Sequence, residues 1–376
     1  MRIALVRQRY QVGGGAERSL ESLMAELIKE GHDVHLFTNR WDATKLDGVT
    51  FHRVPIIKGL SFLKVLSFAA FSYLQLKRMN FDIIHSFERT LYQDIYRAGD
   101  GCHREWLIQR HRAAPWRRAL DAVNPLHRSI LFLERRLFAP GHCLKIIANS
   151  RKVREEIIHH YGFPSDCITL VYNGVDLMRF HPLNRKRLRS HIRRMLGLDP
   201  EDLVLLFVGS GFERKGLKVL IEGAALTRGA GRDLTILVAG KGNPKRYLAL
   251  AERLGFSGRL RFLGVWPNVE ELYAAADTFL LPTLYDPFAN TCLEAMASGL
   301  PVITTAQNGV SELIEEGRNG LIVKDPLDSG EVGEKLLELA DPGRRRSMGE
   351  EARKVAEAFP LSRNVQETVK IYQEVL

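Results

Sequence analysis

Two carboxylates, Asp286 and Glu294, stand eight positions apart in the stretch Tyr285–Val302. A proline turn, small residues and the opening of a helix lie between them. Gly299 closes that helix, and Pro301-Val302-Ile303-Thr304-Thr305 reads as the next buried strand. The amino end of a helix gathers N–H groups and positive partial charge, so Phe288, Ala289, Asn290 and Thr291 would present it to an anion such as a diphosphate. Asp286 then stands in the loop beside the anion. Glu294 lies about one turn into the helix, where a carboxylate accepts hydrogen bonds from a vicinal diol. An anion beside a diol is the layout of a nucleotide-sugar site.

A second loop supplies positive charge. Gly209-Ser210-Gly211-Phe212-Glu213-Arg214-Lys215-Gly216 follows a strand-like run and precedes a helical one. There, glycine lets backbone amides approach phosphate, and Arg214 and Lys215 neutralise it. Position 214 is arginine, so the third glycine of a dinucleotide fingerprint is missing and nicotinamide binding is disfavoured. Gly13, Gly14 and Gly15 form a matching loop after the first strand. The chain has no Asp-x-Asp; such a carboxylate pair commonly holds a nucleotide diphosphate through a metal. The expectation is a metal-independent site with no cofactor. Asp100, in Ala98-Gly99-Asp100-Gly101-Cys102-His103, follows a further strand and is the candidate for orienting or deprotonating an acceptor hydroxyl, with His103 as its competitor.

These loops need a scaffold. The second half alternates short β-rich runs (Leu203–Val208, Leu234–Ala239, Leu260–Leu263, Thr278–Leu281, Val302–Thr305, Leu321–Val323) with helical ones, including Val310–Glu316. That rhythm specifies a parallel doubly wound sheet whose ligand lies beyond the strands' carboxyl ends. The first half repeats it from Ile3–Val6 onward, with a helix over Phe62–Lys77. At 376 residues two cores are expected, because one core stops growing near roughly 250–300 residues. The division read from the sequence is 1–172, 173–358 and a closing helical tail, 359–376, returning to the first domain.

The net charge of +10 calls for an acidic partner. No helix-turn-helix, RNP or zinc-finger pattern supports nucleic acid. Residues 101–150 hold eight arginines and one lysine against three acids. Within them, Trp106, Trp116, Ile108 and Leu120 interleave with Arg110, Arg112, Arg117 and Arg118, the composition of a segment lying on an anionic membrane. Arg179–Arg194 has seven basic residues and no acid and reads as a solvated surface helix. Four scattered cysteines and a first strand beginning at the third residue indicate a reducing cytoplasm and no signal peptide. Leu60–Leu76 falls short of a membrane span, which needs about 20 apolar residues.

Taken together, the motifs resemble the family-four retaining glycosyltransferases of GT-B fold, two Rossmann-like domains facing a cleft. Asp286…Glu294 matches the family's acid-x7-acid motif, inside Pro287-Phe288…Leu293-Glu294-Ala295-Met296-Ala297-Ser298-Gly299-Leu300-Pro301-Val302. The likeness extends to Gly14-Gly15-Ala16-Glu17-Arg18, Asn173-Gly174-Val175-Asp176, Lys215-Gly216 and Gly309-Val310-Ser311-Glu312. Within the family, Arg214-Lys215-Gly216 and the basic insertion after Asp100 are similar to the lipopolysaccharide-core glucosyltransferases. The resemblance implies that Lys215 and Arg214 bind the donor diphosphate, Glu294 the ribose and Asp286 the sugar, with Gly15 approaching from the first domain. Ser210 stands where many members carry arginine. It further implies UDP-glucose as donor, a lipopolysaccharide core or glycolipid as acceptor, and a peripheral location on the cytoplasmic face of the inner membrane. A different hexosyltransferase, a sugar phosphorylase or epimerase on the same fold, and a membrane scaffold are the alternatives. Release of free sugar phosphate marks the phosphorylase, and failure to bind any nucleotide sugar the scaffold.

Overall fold

The computed structural model describes residues 1–10, 15–41, 46–228 and 234–376. The chain divides into two compact units, Met1–Asn173 with Leu361–Leu376, and Gly174–Pro360. Unit 1 contains β1 (Arg2–Val6), β2 (Arg9–Tyr10), α1 (Gly15–Lys29), β3 (Asp33–Thr38), β4 (Arg40–Trp41), β5 (Val49–Arg53), α2 (Ser61–Leu76), β6 (Ile83–Ser86) and β7 (Ile95–Arg97). It continues through α3 (His103–Ala113), α4 (Arg117–Val123), α5 (Pro125–Leu137), β8 (Lys145–Ala148), α6 (Arg151–Tyr161) and β9 (Ile168–Leu170). Unit 2 contains α7 (Leu183–Met195), β10 (Leu203–Val208), α8 (Leu217–Leu226), β11 (Leu234–Ala239), α9 (Lys245–Arg253), β12 (Leu260–Gly264), α10 (Val269–Ala275) and β13 (Thr278–Leu281). It ends with α11 (Asn290–Ala297), β14 (Val302–Thr305), β15 (Gly320–Val323), α12 (Ser329–Glu338) and α13 (Pro342–Glu357). The closing helix, α14 (Leu361–Val375), belongs to unit 1.

Both large sheets are parallel, with orders β5-β3-β1-β6-β7-β8-β9 and β12-β11-β10-β13-β14-β15. Each winds outward in two directions from its first strand, so each has one switch point, β1/β6 in unit 1 and β10/β13 in unit 2. A parallel sheet is covered on both faces and its strands read as unbroken apolar runs. Leu203-Val204-Leu205-Leu206-Phe207 and Thr235-Ile236-Leu237-Val238 are accordingly buried throughout. In unit 1 the core joins Ile3, Leu5, Leu20, Leu27 and Val34 to Val365, Val369 and Tyr372 of α14. The Tyr372 hydroxyl lies 2.7 Å from His85 Nδ1. Burial strips the His85 imidazole of its charge, pushing its pKa well down.

Two expectations are corrected. The region 310–316 forms only a short 3-10 turn, Gly309–Leu313, because a chain bond from Gly309 N to Asp286 O draws it back to the sheet edge. Nor is α7 a solvated helix. Arg185, Arg189 and Arg193, spaced by four, project from one face onto Asp277 at 2.9, 2.7 and 2.5 Å. Arg185 and Arg189 also donate to Ala276 O, and Arg189 and Arg193 to Ala275 O. These carbonyls end α10, where partial negative charge collects and arginine is favoured. Asp277 also accepts from Val204 N at 2.9 Å. Burial raises its pKa, yet the three guanidiniums outweigh that and hold it below the usual carboxylate range.

Removing one member of a buried ionic cluster strands the others. Asp277→Ala should therefore cost about 3 kcal/mol of unfolding free energy in urea denaturation. A loss below about 0.5 kcal/mol would show the cluster to be energetically equivalent to a surface pair.

Candidate functional site

The β10/β13 switch point assembles most of the expected site. Loop 209–216 leaves the carboxyl end of β10, and loop 282–289 leaves that of β13. They touch at Gly216, whose φ is +77°. A Cβ at that position would lie 1.8 Å from Pro282 O, so only glycine fits. This close approach brings Lys215 Nζ into contact with Asp286 Oδ2, and both residues are buried. Arg214 is tied to the same loop at both ends. Its carbonyl accepts from Leu284 N (2.8 Å) and Thr283 Oγ1 (3.0 Å), while Nη1 donates to Tyr285 O (3.1 Å). Its guanidinium is 3.7 Å from Asp286. Gly209 packs along the Lys215 side chain, and exposed Ser210 accepts from Lys241 N at 3.1 Å.

Burial alone would raise the Asp286 pKa. Lys215, Arg214 and the Phe288 amide more than reverse this and hold it below the ordinary value. Asp286 is thus ionised at neutral pH: an electrostatic group, not a proton donor.

Helix α11 starts at Asn290, directly after buried Phe288 and Ala289. Alanine at the cap position has no oxygen to close the first turn, and the helix's positive end faces the Lys215 loop's sheet edge. Thr291 Oγ1 in that turn is buried and without a hydrogen-bond partner. Buried Glu294 accepts from Tyr273 Oη at 3.0 Å. Among the described residues no three metal-ligating side chains converge.

Two residues here escaped the sequence reading. Fully buried Asn308 accepts from Ala289 N (3.0 Å) and Val310 N (3.3 Å), and donates to Thr304 Oγ1 (2.9 Å). Together with the Asp286 N to Gln307 O bond, it fixes where α11 begins relative to Asp286. Its only sequence signal was its place before the Gly309-Val310-Ser311-Glu312 block. Tyr273 carried no signal, being one tyrosine in a short helix.

Other expected residues lie in unit 1. Gly15 opens α1, and Gly14 is outside the described residues. Asp100 is exposed, 3.9 Å from Arg89, on the loop after β7. His103 is a poor base: its Nε2 lies 2.9 Å from His127 Nδ1, and burial together with Arg89 pulls its pKa down to about 3. The basic segment folds as α3, α4 and α5, anchored by Glu134. That fully buried carboxylate accepts from His103 N (2.6 Å), Arg104 N (3.3 Å), Arg89 Nε (2.8 Å) and Tyr161 Oη (2.6 Å). It caps α3, whose own cap residue, Cys102, makes no side-chain bond to the first turn of the helix. Trp106 is only half-buried, with the Arg110 guanidinium over its ring. Trp116 is 67% exposed beneath Arg117, and Leu120 (59%), Val123 (70%) and Ile108 (47%) are exposed with Arg112 and Arg118. No described helix is long and apolar enough to cross a membrane.

Comparison with known proteins agrees with this fold. Residues 189–355 match the family model "Glycosyl transferases group 1", and 13–179 match "Glycosyltransferase Family 4". The chain is a GT-B glycosyltransferase. It is 26% identical over 363 residues to Lipopolysaccharide glucosyltransferase WaaG of Escherichia coli (strain K12), covering 96% of each chain. The crystal structure of WaaG, a glycosyltransferase involved in lipopolysaccharide biosynthesis, superposes with a TM-score of 0.86 at 25% identity, over 98% of this chain and 99% of that one. D-inositol 3-phosphate glycosyltransferase of Corynebacterium glutamicum (strain R) is 26% identical over 396 residues, 96% of this chain and 92% of that one. Anabaena HepE, solved with UDP-glucose, shares the fold at a TM-score of 0.75 and 20% identity, with all of both chains covered.

Two outcomes follow for this glycosyltransferase. Asn308→Ala strands two amides and should cost about 2–4 kcal/mol by chemical denaturation; a cost below about 0.5 kcal/mol would remove Asn308 from the scaffold. For Asp286 the pKa is depressed by folding, so its pairing stabilises fully above the unfolded carboxylate value near ~4 and fades as pH falls through the lower folded value. The stability gap between wild type and Asp286→Asn should be constant from about pH 7 to 5 and shrink below about pH 4. A gap that widens on acidification would contradict the assignment.

Proposed function

We propose that this glycosyltransferase moves a hexose from a nucleotide diphosphate sugar to a lipopolysaccharide core or related glycolipid, with retention of anomeric configuration. One observation carries this reading: Lys215, Arg214 and ionised Asp286 meet at the unit 2 switch point beside the amino end of α11 and Glu294. An ammonium has three N–H donors, so Lys215 can hold Asp286 and a phosphate oxygen together. Lys215, Arg214 and the α11 amino end meet the charge of the departing diphosphate electrostatically, without a metal. Asp286 lies beside that anion and positions the sugar while stabilising oxocarbenium-like charge on it. Glu294 receives the ribose hydroxyls. The bond from the anomeric carbon to the diphosphate breaks and the bond to the acceptor oxygen forms on the same face, with the acceptor proton passing to the departing diphosphate. Asp100 serves the acceptor side, in preference to His103, whose imidazole is tied to His127.

Glucose as the sugar follows the likeness to the lipopolysaccharide glucosyltransferase, and UDP as the nucleotide follows the UDP-glucose complex of Anabaena HepE, which shares the fold. The equal identity to the inositol-phosphate enzyme supports a second reading, a hexosyltransferase acting on a phosphorylated polyol. The enzyme works from the cytoplasmic face of an anionic inner membrane, with Trp116, Leu120 and Val123 entering the interface and Arg112, Arg117 and Arg118 meeting its phosphates.

A screen of UDP, GDP and ADP sugars followed by transfer to truncated core lipopolysaccharide tests the assignment, with inositol phosphate as the competing acceptor. Glu294→Ala should lower kcat/KM at least about 100-fold while the circular dichroism spectrum stays unchanged, and EDTA should leave turnover intact. Near-normal turnover by Glu294→Ala would sink the reading. Arg117→Glu with Arg118→Glu should abolish flotation with anionic liposomes, and retained flotation would remove the membrane claim.

A further inference from the structure

Tyr273 is almost wholly buried on α10, away from both site loops in sequence. Its phenol oxygen stands 3.0 Å from Glu294 Oε2 and 3.0 Å from Thr291 O. A tyrosine hydroxyl carries one proton, so that proton is shared between the carboxylate and a carbonyl of the first turn of α11. The ring cannot swing away. Phe180 meets its edge at 5.7 Å and 84°, and Phe279 leans on it at 5.8 Å and 42°. α10 itself is held by the arginines of α7 through Ala275 and Ala276.

Glutamate has rotamers to lose, and a carboxylate that must receive a diol gains from being held in one of them beforehand. A buried carboxylate also needs hydrogen bonds in place of the water it has lost. The Tyr273 hydroxyl supplies such a bond from a rigid ring. We infer that Tyr273 is a positioning residue that orients Glu294, and with it the first turn of α11, for the ribose of the nucleotide. This rests on the nucleotide-sugar reading of the site. Tyr273 touches no substrate; it acts through Glu294.

Removing the hydroxyl should weaken nucleotide binding only while Glu294 is present. The test is a double-mutant cycle read by calorimetry with UDP, and with GDP and ADP in parallel, using wild type, Tyr273→Phe, Glu294→Ala and the double variant. Tyr273→Phe keeps the ring and its packing. It should raise Kd about tenfold against the wild-type background and less than about twofold when Glu294→Ala is already in place. In turnover assays the donor KM should rise with kcat nearly unchanged, the sign of binding shared by ground and transition states. Equal losses in both backgrounds, or a loss confined to kcat, would overturn the inference alone. Absence of binding of all three nucleotides to wild type would overturn the site reading and the inference with it.

Discussion

The buried contact between Lys215 and Asp286 organises everything around it. Two loops from strands β10 and β13 meet there, one bringing an ammonium and the other a carboxylate, at the point where the strand order reverses. Their approach is possible because Gly216 has no side chain where Pro282 O intrudes. A buried ion pair is weak as a source of stability, since desolvating both charges offsets most of their attraction. Its value here is directional. Lys215 and Arg214 keep Asp286 ionised where burial alone would favour the neutral acid, so the site meets an incoming anion already assembled.

Supporting this pair is a set of polar side chains whose work is to hold backbone in place. Thr283 and Arg214 lock the two loops to one another. Asn308 fixes where α11 starts, and Tyr273 reaches the same helix from a different element. Unit 1 repeats the device with Glu134, a fully buried carboxylate that closes the amino end of α3 and positions the basic segment. The cluster of three arginines on Asp277 does it again at the amino ends of β10 and β13, opposite the site. In each case one polar group satisfies several backbone or charged partners at once, because a buried polar group left unpaired costs more than a paired one contributes.

Much of the protein was legible in the order of its residues. Alternating apolar strands and helices dictated two doubly wound sheets, since a strand apolar throughout must be covered on both faces. Spacing dictated that Asp286 and Glu294 share one loop-and-helix unit, because a helix fixes what lies one turn away. Gly299 marked the end of α11, where its φ is +76°. What tertiary structure decided was every contact between elements distant in sequence. Lys215 meets Asp286 across 71 residues, Tyr273 meets Glu294 across 21, and the arginines of α7 turn inward to Asp277 across more than 80. A basic helix with no nearby acid reads as solvated because sequence periodicity records only local neighbours; its partner became visible once the sheet brought the end of α10 beside it.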